Sequence, residues 1–418
     1  MVKRWYQPEI LPELKNLRTQ KLKNPISHLY LHIPFCRRAC NYCDFHFSTN
    51  LQSKTDVVSA IIKEIYLRKD YLSDNKLNTI YFGGGTPSLL NINELHDIFE
   101  TIHHLFEVDK NAEITLEANP DDITKERLLI WQRFGINRLS IGIQSFNNDY
   151  LKYMNRIHTS KMALDCVQES QDVGITNLSV DLIYGVNPNN YKQPKRKPRN
   201  PPPVFSEQEM HNVWNKDLKT VFGLGVQHIS SYCLTIEEKT VFGSWLKNKQ
   251  IVAIDDGFAA TQFRTLQKQM QANGFEQYEV SNFAKDGKYA VHNTSYWSGE
   301  SYLGVGPSAH SFDGNSRQFN VASNTAYMKS LDEHIVPFQR EILTPENRFN
   351  ELLMTGLRTI WGVSTERLKE SGIIIPDEFY KTIKSFENQE KLTFENGVLK
   401  LTNKGKFFAD GIAAELFV

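Results

Sequence analysis

Three of the five cysteines in this 418-residue chain lie in one short segment. They are Cys36, Cys40 and Cys43 of HIPFCRRACNYCDF, so their spacing is C-x3-C-x2-C. Thiolates bind soft metals, chiefly zinc or the iron of iron–sulfur clusters. Three cysteines would bind three corners of a cubane cluster and leave one iron without a protein ligand. The spacing predicts a metal site and favours an iron–sulfur cluster.

Zinc is the main alternative for this segment. His46 lies three residues after Cys43 and could complete a Cys3His site. However, structural zinc sites usually pair their ligands across a longer hairpin or loop. The remaining cysteines, Cys166 and Cys233, are isolated in the sequence. This usage indicates a reduced, cytoplasmic protein with a metal site rather than a disulfide framework.

The overall composition excludes several classes of function. The chain has 48 basic and 48 acidic side chains, so it lacks the basic excess expected of general nucleic-acid binding. No run of about 18 apolar residues predicts a transmembrane helix. The start, MVKRWYQPEILPELKNL, has no continuous apolar core, so we expect no signal peptide.

The first two-thirds of the chain alternates strand-like and helix-like segments. Residues 53–72 show a helical pattern. Two further helices are predicted to begin at capping boxes, formed by Asn91 with Glu94 and by Ser206 with Glu209. Successive βα units with right-handed crossovers predict a parallel sheet wound into a closed or partial barrel. An open, doubly wound sheet is the alternative. The predicted strands are 29–33, 79–82, 113–117, 138–143, 178–184 and 227–234.

Polar residues recur at the carboxyl ends of these strands. GGGTP (83–87) follows the second strand, and its glycines would let the backbone approach a ligand. A buried strand should be apolar unless its polar groups have partners. Several polar residues on one rim therefore predict a ligand site there. The further polar strand-end residues are Glu117, Gln144, Asp181, Tyr232 and Cys233.

The sequence predicts three regions: an N-terminal extension (1–27), a barrel (28–285) and a smaller α+β C-terminal domain (286–418). A helix carrying Asn350, Leu353 and Leu357 is expected in the last. Within the barrel, residues 187–205 are rich in proline and basic residues, which predicts a mobile, solvated loop on the rim. There it could contact an anionic ligand, an acidic partner or, peripherally, a membrane surface.

Longer motifs resemble the oxygen-independent coproporphyrinogen III oxidase superfamily of radical S-adenosylmethionine (SAM) enzymes. The resemblance runs from about residue 28 to the C-terminus and implies a partial (β/α)6 radical SAM barrel. The basic loop departs from the usual pattern, since members have a short loop there. The motifs are YLHIPFCRRACNYCDF, YFGGGTPSLL, LEANP, SIGIQSF, MNRIH, VDLIYG, HNTSYW and YLGVGPSAHSF.

The resemblance also implies cofactors and site residues. Cys36, Cys40 and Cys43 would hold a [4Fe–4S] cluster whose open iron chelates SAM. Reduction would cleave SAM to methionine and a 5′-deoxyadenosyl radical. The residues implied to flank or bind SAM are Tyr30, Tyr42, Gly84, Gly85, Thr86, Glu117, Gln144, Arg156, Asp181, Cys233 and His310.

Two branches of this superfamily differ at position 45. The decarboxylating oxidases carry a fourth cysteine there, whereas this chain has Phe45 and so resembles the haem-chaperone branch. That resemblance implies haem and haem-requiring apoproteins as partners. His292 of HNTSYW could ligate haem iron, with Tyr296 and Trp297 nearby, or could be a structural histidine in a turn. The alternatives are the oxidase and a zinc-stabilised binding module, and whether SAM cleavage makes the protein an enzyme stays open.

Overall fold

A computed structural model describes residues 27–190 and 204–418. Fifteen strands lie in these two ranges. They are β1 (Ser27–Ile33), β2 (Lys76–Gly84), β3 (Glu107–Ala118), β4 (Arg138–Gln144), β5 (Asn177–Tyr184), β6 (His228–Cys233), β7 (Glu276–Gln277), β8 (Asn282–Ala284), β9 (Ser301–Val305), β10 (His310–Phe312), β11 (Ser316–Asn320), β12 (Phe338–Ile342), β13 (Val363–Ser364), β14 (Leu392–Glu395) and β15 (Val398–Leu401).

The same ranges contain fourteen α-helices. They are α1 (Lys54–Leu67), α2 (Ile92–Leu105), α3 (Lys125–Arg133), α4 (Asn148–Tyr153), α5 (Ser160–Asp172), α6 (Glu207–Gly223), α7 (Val241–Lys247), α8 (Asp256–Ala272), α9 (Val291–Ser298), α10 (Asn324–Asp332), α11 (Pro345–Leu357), α12 (Thr365–Lys369), α13 (Asp377–Asn388) and α14 (Ala409–Glu415).

Strands β1 to β6 are parallel and adjacent in sequence order, with helices between them. This confirms the partial (β/α)6 barrel and all six predicted strands. The doubly wound alternative is wrong, because the strand order never reverses within β1–β6. Both edges are extended: β9 pairs in parallel with β1, and β8 pairs antiparallel with β6.

The two faces of the barrel strands differ in polarity, because successive side chains of a strand point to opposite faces. Leu29, Leu31 and Ile33 of β1 belong to the core under the surrounding helices. The alternate residues carry polar groups that bond across the interior, such as His28 Nδ1 with Thr79 Oγ1 at 2.8 Å. A mostly polar barrel interior can hold a polar ligand.

Local helix signals explain where two barrel helices begin. The Asn91 side chain accepts hydrogen bonds from the N–H groups of Asn93 and Glu94, and the Glu94 carboxylate bonds back to the Asn91 N–H. Ser206 and Glu209 form the same capping box ahead of α6. Both predicted capping boxes are confirmed, and they satisfy N–H groups that a helix start leaves free.

The two hydrophobic cores favour a boundary between the domains that lies after residue 286, where the sequence predicted it. Strands β9 to β12 continue the barrel sheet, and Tyr327 and Leu331 still pack in the barrel core. A second core begins at Phe349, where α11–α14 surround the antiparallel sheet β13-β15-β14. We therefore propose a domain boundary near residue 343 rather than at 286, since a domain is defined by its own core.

The basic loop falls mostly outside the described residues, as does the N-terminal extension predicted for residues 1–27 except Ser27. The described ends of the loop are tied together, because the Phe205 N–H donates to Asn189 Oδ1 at 2.7 Å. The loop therefore starts and ends at one point between β5 and α6.

Among the described helices, none has the length and apolar character required to cross a membrane.

Candidate metal and cofactor site

The three clustered cysteines lie on a loop that leaves β1 and closes on itself. The Cys36 N–H donates to the Ser48 carbonyl at 3.0 Å, and the Ser48 N–H donates to the Pro34 carbonyl at 2.9 Å. The middle of the loop is fixed from outside, since the Asn41 N–H donates to the Met154 carbonyl at 3.1 Å. Backbone hydrogen bonds thus position the loop.

The glycines after β2 pack directly against this loop. A Cβ at Gly85 would lie 2.7 Å from the Phe35 carbonyl oxygen, so only glycine fits without moving the backbone. Gly84 has a φ of 106°, and a Cβ there would lie 2.7 Å from the His32 ring. The Thr86 hydroxyl then donates to Cys36 Sγ at 3.3 Å. Gly84, Gly85 and Thr86 therefore position the cysteine loop. The family resemblance implied a place beside SAM for them but not this role.

A hydrogen-bond chain links two of the cysteines through the barrel rim. Arg156 donates from Nη1 to Cys40 Sγ at 3.2 Å and from Nη2 to Asn119 Oδ1 at 2.6 Å. Asn119 in turn donates to Thr86 Oγ1 at 3.2 Å, next to Cys36. Asn119 lies in the LEANP motif, but the sequence alone gave it no role. The positive guanidinium beside this sulfur would compensate the charge of a metal-bound cysteine.

The residues of the loop fit an iron–sulfur cluster better than a zinc ion. Burial raises the pKa of Cys36 to about 11 and that of Cys43 to about 12, so these thiols need a bound metal to ionise near neutral pH. The sulfurs of Cys36, Cys40 and Cys43 do not all lie within 4.8 Å of one another in the described chain. Tetrahedral zinc, with bonds of about 2.3 Å, would hold thiolates about 3.8 Å apart. A cubane cluster separates them further, because each binds a different iron.

The fourth ligand of the zinc alternative is directed elsewhere. His46 Nε2 lies 2.8 Å from Asn324 Oδ1, just outside the loop, and its ring stacks at 6.3 Å on His32. His46 and the three cysteines therefore form no preassembled Cys3His site.

Two half-buried carboxyl groups, those of Glu117 and Asp181, lie on the barrel interior beside the loop. Glu117 accepts hydrogen bonds from the Tyr81 hydroxyl at 2.8 Å and from the Gly84 N–H at 3.2 Å. Burial raises the pKa of Glu117 to about 7 and that of Asp181 to about 6. Asp181 also accepts from the Ser140 hydroxyl at 3.4 Å. Acceptors of this kind could bind hydroxyl or ammonium groups of a ligand.

Backbone geometry marks one further rim residue. Gln144 has a φ of 69°, unusual for a residue other than glycine, and the pairing of β4 with β5 shifts register between Ile141 and Gln144. Strained backbone of this kind often occurs at ligand sites. Gln144 is also one of the residues that the family resemblance implies to bind SAM.

The structure brings most of the predicted SAM residues to this rim but turns Cys233 away from it. Tyr30 points inward, where its hydroxyl lies 3.1 Å from His32 Nδ1 and its ring stacks on Tyr81 at 6.0 Å. Tyr42 lies inside the cysteine loop, where its hydroxyl contacts Cys40 near Arg156 while its ring packs beside Phe242. Cys233 contacts the barrel core from the helix-covered face of β6. The SAM contacts of all the predicted residues stay predictions.

His292 is buried in a hydrogen-bonded network. Its Nδ1 lies 2.5 Å from Thr79 Oγ1 and its Nε2 lies 2.8 Å from the Tyr296 hydroxyl. The residue is 1% exposed, and burial lowers the pKa of its ring well below the usual value. This arrangement favours the structural alternative. A haem iron would reach Nε2 only after the Tyr296 hydroxyl had moved aside.

A large cleft opens between the barrel and the C-terminal domain. Its volume is about 1840 Å³, and it reaches the cysteine loop at Phe45 and His46. Tyr302 and His310 line its barrel side. His310, the last of the predicted SAM residues, thus faces this cleft. Glu117, Gln144, Arg156 and Asp181 are not part of its lining.

The sequence is similar to known proteins over almost its whole length. The pattern of the radical SAM superfamily matches residues 30–196, and that of the HemN C-terminal domain matches residues 343–408. Heme chaperone HemW of Bacillus subtilis (strain 168) is 30% identical over 387 residues, covering 92% of this chain and 97% of that protein. Heme chaperone HemW of Escherichia coli (strain K12) is 32% identical over 291 residues, covering 69% of this chain and 71% of that protein.

A solved structure has the same fold. Coproporphyrinogen III oxidase (HemN) from Escherichia coli matches with a TM-score of 0.77 at 20% identity, over 94% of this chain and 90% of that one. At this identity the likeness concerns the fold alone. Together with the cysteine loop on a partial barrel and the similarity to the HemW sequences, it leads to one assignment. The chain belongs to the radical SAM superfamily, as a HemN-like member close to HemW.

Proposed function

We propose that this protein is a cytoplasmic, radical SAM-type haem chaperone that binds haem and passes it to haem-requiring apoproteins. The observation that carries the proposal is the combination of a complete three-cysteine loop with an aromatic residue at position 45. The relatives named heme chaperone HemW support it, because the similarity extends over both domains. The fold itself does not separate a chaperone from an oxidase.

Cys36, Cys40 and Cys43 would hold a [4Fe–4S] cluster, with Arg156 compensating the negative charge at Cys40. Glu117 and Asp181 would accept hydrogen bonds from SAM at the rim. When both are bound, cluster and SAM supply one-electron chemistry that protein side chains cannot. The buried interior of the barrel would keep water away from that chemistry.

The SAM affinity should depend on pH through Glu117. Its carboxyl is protonated below a pKa of about 7, and protonation removes an acceptor that ligand hydroxyl groups need. We therefore expect SAM affinity to rise about tenfold between about pH 6 and pH 8, because only the ionised fraction binds well. The Glu117→Gln variant should bind weakly throughout and lose most of this dependence. Calorimetry on the cluster-loaded protein would measure both.

Asp181 supplies the matched comparison, since its pKa of about 6 lies lower. An Asp181→Asn variant should bind SAM more weakly and keep the rise, shifted to lower pH, because the Asp181 charge helps to raise the pKa of Glu117. A wild-type affinity that is flat across this range would contradict the assignment of Glu117 to SAM.

Haem transfer tests the proposed function itself. The anaerobically reconstituted protein is loaded with haem, freed of excess, and mixed with an apoprotein that becomes spectroscopically distinct when it binds haem. We expect the acceptor spectrum to appear while the donor loses its haem. Haem that never leaves the protein, or a protein that cannot be loaded, would contradict a chaperone function.

A further inference from the structure

The cleft between the two domains has the features of a site for a large, flat ligand. Pockets for drug-sized ligands typically measure about 300–1,000 Å³, so the cleft volume of about 1840 Å³ leaves room for a macrocycle. Aromatic side chains line it from both the cysteine loop and the barrel. They are Tyr30, Phe45, Tyr296, Trp297, Tyr302 and Phe312. Phe45 is 67% exposed, an unusual state for a phenylalanine, and offers a ring face to a bound molecule.

Two arginines on the opposite wall form no salt bridge in the described parts of the chain, although the exposed Glu346 carboxylate lies near Arg348. Arg348 of α11 contacts only carbonyl oxygens, those of Leu343 at 3.5 Å and Ser371 at 3.4 Å. Arg367 of α12 donates to the carbonyl oxygen of Ser298. Both line the cleft, and guanidinium groups bind carboxylates in preference to carbonyls.

None of the acidic residues that line the cleft forms an ion pair with these two arginines in the described chain. Glu351 is paired with Arg317 at 2.6 Å, and Glu300 contacts His28 at 2.7 Å. Asp313 accepts from the Ser316 N–H at 2.6 Å. Asp44 and Glu370 also line the cleft but form no ion pair with either arginine. Two cations are therefore available to an acidic ligand.

One histidine on the barrel wall is open to the cleft. His310 of β10 is exposed, and its ring nitrogens form no hydrogen bond within the described residues. The neutral imidazole is the form that ligates iron, and burial of the site lowers the pKa of His310 below its usual value. His292, by contrast, has both nitrogens occupied.

We propose that this cleft binds an iron tetrapyrrole with acidic side chains, that His310 ligates its iron, and that Arg348 and Arg367 bind its carboxylates. The inference rests on the proposed haem-chaperone function and locates the cargo. The bound macrocycle would lie between the two domains and beside Phe45 of the cysteine loop.

The test is a titration with haem and with iron-free protoporphyrin, without SAM, followed by absorption and fluorescence. His310→Ala should weaken haem binding at least tenfold and shift the Soret band, yet leave protoporphyrin binding within about twofold. The double variant Arg348→Gln/Arg367→Gln should weaken both ligands and keep the wild-type Soret position. His96→Ala, an exposed histidine on α2, is the matched control and should bind like wild type.

The outcomes separate the location from the function. Wild-type haem binding that survives His310→Ala unchanged but is lost in His292→Ala would overturn the cleft assignment and leave the proposed function standing. Absence of saturable haem binding in the wild type would overturn both. Cluster iron content and thermal unfolding report whether each variant folds. If His310→Ala does not, the arginine variant decides: unchanged binding of both ligands would overturn the assignment.

Discussion

Each of the three variants Cys36→Ala, Cys40→Ala and Cys43→Ala should lose the broad iron–sulfur absorption of the anaerobically reconstituted protein and all SAM cleavage. In the proposed cluster each cysteine would bind one iron, and the described loop offers no spare thiol, because Cys166 and Cys233 lie on barrel elements instead. Losing one cysteine would leave two irons without a protein ligand. Iron and sulfide analysis, together with the visible spectrum, would measure the loss.

Three controls make this result specific. His46→Ala should retain iron and sulfide, because its ring bonds to Asn324 rather than facing the thiols. Cys166→Ala and Cys233→Ala remove thiols outside the loop and should retain both as well. The radical SAM account would be contradicted if the protein contained zinc instead of iron and if His46→Ala lost that zinc, as the loop cysteine variants would.

The reduced, reconstituted protein should form no detectable protoporphyrinogen from coproporphyrinogen III and SAM in the absence of oxygen. Position 45 holds a phenylalanine where the decarboxylating branch is expected to have its fourth cysteine. A phenyl ring can neither ligate iron, relay a proton nor form a thiolate. Phe45 instead lies exposed in the cleft, where it can contact a bound macrocycle. Chromatography of the oxidised porphyrins would measure the products.

An internal control is needed for this negative result. Methionine released from SAM in the same sample would show that the cluster is active, so that a missing product reflects the site and not a dead preparation. Repeated turnover to protoporphyrinogen would instead favour the oxidase alternative.

Much of the fold could be predicted because the signals are local. The alternation of strand and helix patterns, and capping boxes such as Asn91 with Glu94, depend on neighbouring residues and are confirmed. The proposed shift of the domain boundary to about residue 343 rests on β9–β12, short strands whose place in the sheet beside β1 is set by contacts far away in sequence. Periodicity cannot report which sheet such a strand joins.

In the candidate site too, local features could be predicted from the sequence, whereas contacts between distant residues could not. The C-x3-C-x2-C spacing placed three cysteines on one loop, where they lie. The contact of Asn119 with both Arg156 and Thr86 joins residues from three elements, so no sequence spacing predicts it. The burial of His292 likewise depends on the contact of α9 with β2, far away in sequence, and the openness of His310 depends on the cleft between the barrel and the C-terminal domain.

Haem titration of the wild-type protein tests the central claim most directly. Haem is added stepwise to the anaerobically reconstituted protein, and the Soret band is followed against a buffer reference. A haem chaperone should give a shifted Soret band that saturates at a fixed ratio of haem to protein, since burial of the apolar macrocycle drives binding. A change that grows linearly without saturation, with the band of free haem, would contradict the account.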